Sequence, residues 1–294
     1  MSTLNGSGDV DCDFSPLAGT EVHFLPSIHV GDTFKIFVGR CGTDNVERAG
    51  VLYLTDANGY FGSTVDIIRS LQLAAHLPPL FVVGIGYRLG GLGDTVAVRT
   101  RDLTPTGDEQ FAALFPEQSR MGGASALLRF LREELMPWVN TRFSTDAADT
   151  TYFGHSLGGL FGTYVLLTAP ETFRRYAIGS PSLWWDNEVS FAYEQAYAAT
   201  HPDLRARVFF GVGAHETHEG RRREAVNYPD DLRQKATAWY IDMVADTQRM
   251  VTRLEQRGYP NLHIASAVFP DEFHVSVPQL TLSRALRVLF DAPR

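Results

Sequence analysis

The pentapeptide Gly154-His155-Ser156-Leu157-Gly158 fits the pattern G-x-S-x-G. A serine hydroxyl is a weak nucleophile until a base takes its proton, so the pattern matters only where the chain can set the serine against one. Thr150 to Phe153 before it reads as a strand, and Gly159 to Leu167 after it reads as a helix. That strand–turn–helix setting is what a nucleophile elbow needs, because the sharp turn lifts the Ser156 hydroxyl above a sheet. Glycines suit the flanking positions, since larger side chains in so tight a turn collide with the adjoining strand and helix. The helix start also presents unpaired amides to developing negative charge. The chemistry expected is attack by Ser156 on a carbonyl carbon.

A base and an acid should follow in the chain order serine, acid, histidine. His201, His215, His218, His263 and His274 all lie C-terminal to Ser156. His263 alternates within a strand, and His201 sits in a polar helix-to-loop segment beside Pro202. His274 lies in Pro270-Asp271-Glu272-Phe273-His274, past the last strand and before the last helix. A loop there stands at the carboxyl end of the sheet, so His274 is the candidate base. Glu216, in Gly213-Ala214-His215-Glu216 after the strand Val208 to Gly213, is the candidate acid. It would orient the imidazole and stabilise its charged form. Asp271 and Glu272 compete for this role, although sequence neighbours at a strand end rarely point into one site. An oxyanion hole needs the Leu157 amide and a second amide from the loop after the third strand, Asp56-Ala57-Asn58-Gly59.

The elements that must position these groups follow from hydrophobic periodicity. Val22 to Leu25, Thr33 to Val38 and Val51 to Thr55 are strand-like runs separated by turn residues. A helix is predicted near Thr64 to Ala75, with Ile67, Ile68, Leu71 and Ala75 on one face. Leu80 to Gly86 is wholly apolar and of strand length, as in a parallel sheet covered on both faces. Tyr87 to Gln118 shows no clear period and is predicted to be a long excursion over one end of the sheet. Leu127, Leu128, Leu131, Leu135 and Trp138 return to helical spacing. Ala177 to Gly179, Val208 to Gly213 and Ile264 to Phe269 read as further strands. Met243 to Leu254 and Leu280 to Phe290 read as helices. Strands alternating with helices imply a mostly parallel sheet, with its site in loops beyond the strands' carboxyl ends.

Composition excludes several classes. The chain has 294 residues, and 34 acidic against 26 basic residues give a net charge of −8. A nucleic-acid binder would need a basic stripe to displace counterions. No run approaches the ~20 apolar residues of a membrane helix. Met1 to Asp13 has no basic or apolar leader segment, so a cytoplasmic location is expected. Cys12 and Cys41 lack metal or redox spacing, and two reduced thiols are expected, with a single bridge as the alternative. His215-Glu216-Thr217-His218 places its histidines three apart after a strand, whereas a zinc-protease helix needs four. Gly84-Ile85-Gly86-Tyr87-Arg88-Leu89 lacks the third glycine of a dinucleotide fingerprint. No metal or other cofactor is expected.

Arg99 and Arg101, in the excursion, are candidate clamps for an anionic or carbonyl-rich substrate, with internal pairing to Asp102 as the alternative. Of the adjacent Trp184 and Trp185, one should pack inward while the other offers an aromatic wall to the cleft. Tyr60, beside the oxyanion loop, and His155, beside the nucleophile, complete the candidate substrate contacts.

Gly154-His155-Ser156-Leu157-Gly158-Gly159-Leu160-Phe161 and Ser180-Pro181-Ser182-Leu183-Trp184-Trp185-Asp186 resemble the putative-esterase family of α/β-hydrolases. Within it they are nearest the enterobactin- and salmochelin-type trilactone esterases of siderophores. Arg99 to Pro105, Glu272 to Pro278 and Val51 to Asn58 extend the resemblance, which spans roughly residues 20 to 290 in matching order. It implies an α/β-hydrolase fold over 1–294 as one domain, with a cap-like excursion near 87–121 and a flexible start at 1–20. It maps the nucleophile to Ser156, the base to His274, the acid to Glu216 and the second oxyanion amide to Asn58, where Ala57 replaces the usual glycine. The substrate implied is a small-molecule ester or lactone. An acyltransferase, or a general carboxylesterase or carbohydrate acyl esterase, is the alternative.

Overall fold

The computed structural model describes residues 17–42, 48–89 and 92–291. Eight strands form one sheet: β1 (Thr20–Pro26), β2 (Thr33–Cys41), β3 (Ala49–Leu54), β4 (Leu80–Tyr87), β5 (Thr145–His155), β6 (Arg175–Gly179), β7 (Ala206–Gly213) and β8 (Leu262–Phe269), in the order β1-β2-β4-β3-β5-β6-β7-β8. The pairings β1–β2 and β2–β4 are antiparallel, and every pairing from β4 through β3 to β8 is parallel. With helices on both faces this is an α/β-hydrolase fold, as the sequence predicts.

The helices are α1 (Ala57–Leu73), α2 (Val96–Leu103), α3 (Glu109–Leu114), α4 (Ala124–Arg129), α5 (Met136–Arg142), α6 (Leu157–Thr168), α7 (Trp185–Thr200), α8 (His218–Ala225), α9 (Asp230–Thr237), α10 (Met243–Gln256) and α11 (Pro278–Phe290). Strand alternation divides the core into two layers. Leu52, Leu54, Val82, Phe153 and Phe209 face α1 and α11, meeting Phe61, Val65, Ile68, Leu282 and Leu286. Their neighbours Val51, Tyr53, Val83, Tyr152 and Phe210 face the other way, onto α4, α6 and α10. Each such side chain contributes roughly 1.5–3 kcal/mol through removal from water.

Four local outcomes differ from the sequence prediction. Helix α1 begins at Ala57 rather than near Thr64 and buries Ala57, Phe61, Thr64, Val65 and Ile68. Asn58 and Gly59 read as loop residues, yet the first helical turn makes no i−4 bonds and so tolerates them. The helix stops at Leu73, and Ala75 has φ 54°. The excursion after β4 is not irregular: it holds α2, α3 and two 3₁₀ turns, at Leu92–Thr95 and Pro116–Gln118. Such pieces are too short for a 3.6-residue period to show. The predicted helix through Leu127 to Trp138 is split by a π-helical segment, Phe130–Leu135. Cys41 is a free, buried thiol, and burial raises its pKa. Cys12 and the start predicted to be flexible, up to residue 16, lie outside the described residues. Among the described residues, no helix is long and apolar enough to cross a membrane.

Candidate active site

Ser156 joins β5 to α6 with φ 62° and ψ −119°. A non-glycine residue at positive φ is strained, and here backbone bonds to neighbouring segments hold it. Its N–H donates to the Gly179 carbonyl at 3.0 Å, and its carbonyl accepts from the Leu160 and Ser182 amides at 2.9 and 3.2 Å. The flanking glycines are required by space. A Cβ on Gly154 would collide with the Gly158 carbonyl, and one on Gly158 would lie 2.5 Å from Thr55 Oγ1. Leu157 opens α6, so its amide has no intrahelical acceptor.

His274 and Glu216 arrive from the loops after β8 and β7, two adjacent parallel strands. His274 Nδ1 lies 2.5 Å from Glu216 Oε2. An ionised Glu216 only accepts, so this contact assigns the proton of a neutral imidazole to Nδ1 and leaves Nε2 as the lone-pair nitrogen. Glu216 is 1% exposed. Its second oxygen accepts from Ser180 Oγ at 2.6 Å and from the Gly213 amide at 2.8 Å. Burial pushes its carboxyl pKa up, but the hydrogen bond and charge of His274, then the Ser180 and Gly213 bonds, outweigh that and hold it below its ordinary value.

The competing carboxylates turn elsewhere. The Asp271 side chain is 98% exposed and lies 3.8 Å from His215, while the Glu272 carboxylate accepts from the Ser276 hydroxyl. His215 stacks on Phe273, His218 on Tyr240 and His201 on Tyr197. Among the described residues, no cluster of His, Cys, Asp and Glu has the arrangement of a metal site.

The loop after β3 supplies the other side of the site. Asp56, at φ 56°, takes the left-handed strain just before α1 begins. Ala57, the first residue of α1, is not itself at positive φ. The Asn58 carboxamide donates to the Tyr87 and Leu89 carbonyls and accepts from the Tyr87 amide, which ties the start of α1 to the end of β4.

Several expected substrate contacts are placed differently. Arg99 Nε and Nη2 donate to both oxygens of Asp56 at 2.7 and 2.8 Å. Arg101 is pinned by Asp102 through two bonds and by Asp32 through a third. Both arginines are therefore paired with carboxylates of the chain, Arg101 with Asp102 as in the alternative reading. Trp185 is fully buried and donates its Nε1 hydrogen to the Thr106 carbonyl at 3.1 Å, so it offers no cleft wall. Trp184 is half-buried and lines a cavity of about 300 Å³. His155 is 3% exposed and packs its ring 4.5 Å from that of His274, so it meets the candidate base rather than open solvent. Neither of its ring nitrogens makes a well-formed hydrogen bond. Burial, then the neighbouring His274 charge, drives its pKa well down, and the His274 backbone offsets part of that. Tyr60 stands edge-on to His155 at 6.2 Å, with its phenol pushed up to about 12 by burial and then by Asp56.

Ser180 is the site residue to which sequence reasoning assigned no role. It is fully buried and sits at φ 36° just past β6. Its only sequence signal is a small polar residue beside proline at a strand end.

The chain is similar to a ferri-bacillibactin esterase, BesA, of Bacillus subtilis strain 168, at 29% identity over 92% of this chain and 89% of that protein. It is 28% identical to a siderophore triacetylfusarinine C esterase of Aspergillus fumigatus, over 82% and 81% of the two chains. The crystal structure of the BES protein from Bacillus cereus superposes with a TM-score of 0.78 at 25% identity, covering 96% of this chain and 98% of that one. The family model described as Putative esterase matches residues 43–258, most of the chain. On that match and this fold, the chain belongs to the Putative esterase family.

Proposed function

We propose that the protein is a serine carboxylic-ester hydrolase that opens an ester or lactone through an acyl-enzyme on Ser156. The observation that carries this reading is the 2.5 Å contact between His274 Nδ1 and buried Glu216, delivered to the same end of the sheet as the strained elbow. In the proposed cycle, His274 Nε2 takes the Ser156 hydroxyl proton as Oγ bonds to the carbonyl carbon. The carbonyl oxygen becomes an oxyanion facing the Leu157 and Asn58 amides. His274 then returns the proton to the departing alkoxide. Water repeats the sequence on the acyl-enzyme and frees the acid. Glu216 fixes the ring and stabilises the imidazolium. Acid–base help of this kind contributes ~10²–10⁴ in rate, and one oxyanion donor ~10²–10³.

The substrate class rests on the relatives. The two relatives named as esterases are a ferri-bacillibactin esterase and a siderophore triacetylfusarinine C esterase, so a siderophore ester or lactone is the proposed substrate. The test is a fluorophosphonate probe followed by peptide mapping, together with p-nitrophenyl acetate turnover. Labelling should map to Ser156, and Ser156→Ala should abolish both labelling and turnover. Labelling at another residue, or unchanged turnover in the variant, would sink the mechanism.

A further inference from the structure

The His274 side chain is 27% exposed. It sits in the loop between β8 and α11, where Asp271, Val275 and Ser276 are exposed around it. The contact from Nδ1 to Glu216 fixes one atom of the ring. The second side-chain torsion of a histidine has a broad minimum, so a ring held at one atom keeps freedom to turn. Turning carries Nε2 out of line with the Ser156 hydroxyl.

The His155 ring supplies a second contact. Its centroid lies 4.5 Å from that of His274 with 39° between the planes, nearer to stacking than to edge-on. Offset ring pairs of this kind are favourable. His155 is itself held firmly. It is the last residue of β5, is 3% exposed and is aligned with Gly179 of β6. Gly179 leaves the space the ring needs, since a Cβ there would lie 3.0 Å from His155 Nδ1. Tyr60 closes on the ring edge-on, with 83° between the planes. Burial, then the nearby His274 charge, keeps His155 neutral, so it sets no like charge against an imidazolium on His274.

We propose that His155 is a positioning residue for the base: its flat ring fixes the plane of the His274 ring so that Nε2 meets the Ser156 hydroxyl. This rests on the ester-hydrolase reading above. Nucleophile and base are then aligned through one rigid unit. His155 and Ser156 are adjacent in the chain, and the Ser156 N–H is anchored on the Gly179 carbonyl at 3.0 Å. Any shift of the elbow moves the seat of the base with it. A misplacement of about 1 Å costs on the order of 10² in rate. The His155 ring acts on the reacting geometry through His274 and not on substrate recognition, so its loss falls on kcat rather than on KM.

The experiment compares His155→Ala, His155→Leu and His155→Phe in p-nitrophenyl acetate hydrolysis. Exhaustive fluorophosphonate labelling counts the competent sites, so kcat is taken per site and unfolded protein does not enter it. His155→Ala should lower kcat by about 10–100-fold and leave KM within about twofold of the wild type. His155→Leu fills much of the same space without a flat face. Its melting temperature should stay at or above that of the wild type, because no buried polar group is left unbonded, while its kcat falls as in His155→Ala. His155→Phe restores a flat ring and should recover most of the lost kcat. A merely structural His155 would not separate the leucine from the phenylalanine variant. Wild-type kcat in His155→Ala or His155→Leu, or a phenylalanine variant no faster than the leucine one, overturns the positioning role. A wild type that fails to hydrolyse the ester, or is labelled away from Ser156, counts against the ester-hydrolase reading instead.

Discussion

Arg99, in α2, and Asp56, at the start of α1, are joined by two hydrogen bonds of 2.7 and 2.8 Å, with Asp56 only 2% exposed. The pair ties the segment after β4 to the loop that leads into the proposed oxyanion hole. A guanidinium matches a carboxylate at two points, which an ammonium cannot. Burial lowers the Arg99 pKa, but the Asp56 charge and hydrogen bond more than reverse this, so the guanidinium stays charged. Removing one partner strands a buried charge, whereas removing both does not. Arg99→Gln should therefore cost about 3–5 kcal/mol in urea unfolding. The double variant Arg99→Gln, Asp56→Asn should recover part of that loss. A single variant as stable as the wild type would show that the pair contributes nothing.

Glu216→Gln keeps the shape but loses the acceptor charge opposite His274. Its turnover of p-nitrophenyl acetate should fall by ~10²–10⁴. Asp271→Asn and Glu272→Gln should stay near wild type, since Asp271 is solvent-exposed and Glu272 is engaged by Ser276. A crippled 271 or 272 variant beside an active Glu216→Gln would reassign the acid.

Ser180→Ala removes a donor from the charged form of Glu216. The Glu216 carboxyl pKa lies below its unfolded value of 4.5, so its contribution to stability is present above that pH and is lost as pH falls through the folded value. The variant should lose about 1–3 kcal/mol at neutral pH. The gap from the wild type should narrow as the solution is acidified below 4.5. Chemical unfolding at a series of pH values measures it, and a gap constant with pH would count against a bond to the ionised carboxylate.

His155 is buried neutral, with its pKa far below the ordinary 6.5. The unfolded chain therefore binds a proton that the folded chain refuses. Stability should fall as pH drops below 6.5, by at most about 1.4 kcal/mol per pH unit from this one group. His155→Phe cannot take up that proton, so its stability should decline less steeply between about pH 7 and 5. Parallel declines in the two proteins would show that His155 does not contribute to acid sensitivity.

Local pattern determined much of this protein. The strand–turn–helix around Gly154 to Gly158 is written in residues adjacent in the chain, and so are the alternating strands and the long amphipathic helices. Ser156, His274 and Glu216 could be named because each follows a strand, and parallel strands deliver their carboxyl ends to one side. Tertiary structure decided what depends on distant neighbours. Whether Arg99 meets a substrate or Asp56 turns on residues 43 positions apart, and no period encodes that contact. Trp184 and Trp185 are identical in type and adjacent in sequence, yet one donates to Thr106 inside the core while the other walls a cavity. Ser180 and the left-handed turn at Asp186 to Glu188 are held by Glu216, Asp108 and Arg249, each far along the chain. A sequence shows hydrophobic period and turn chemistry because these act between near neighbours. It does not show which buried polar groups find one another, because their partners are selected only when the packed chain excludes water.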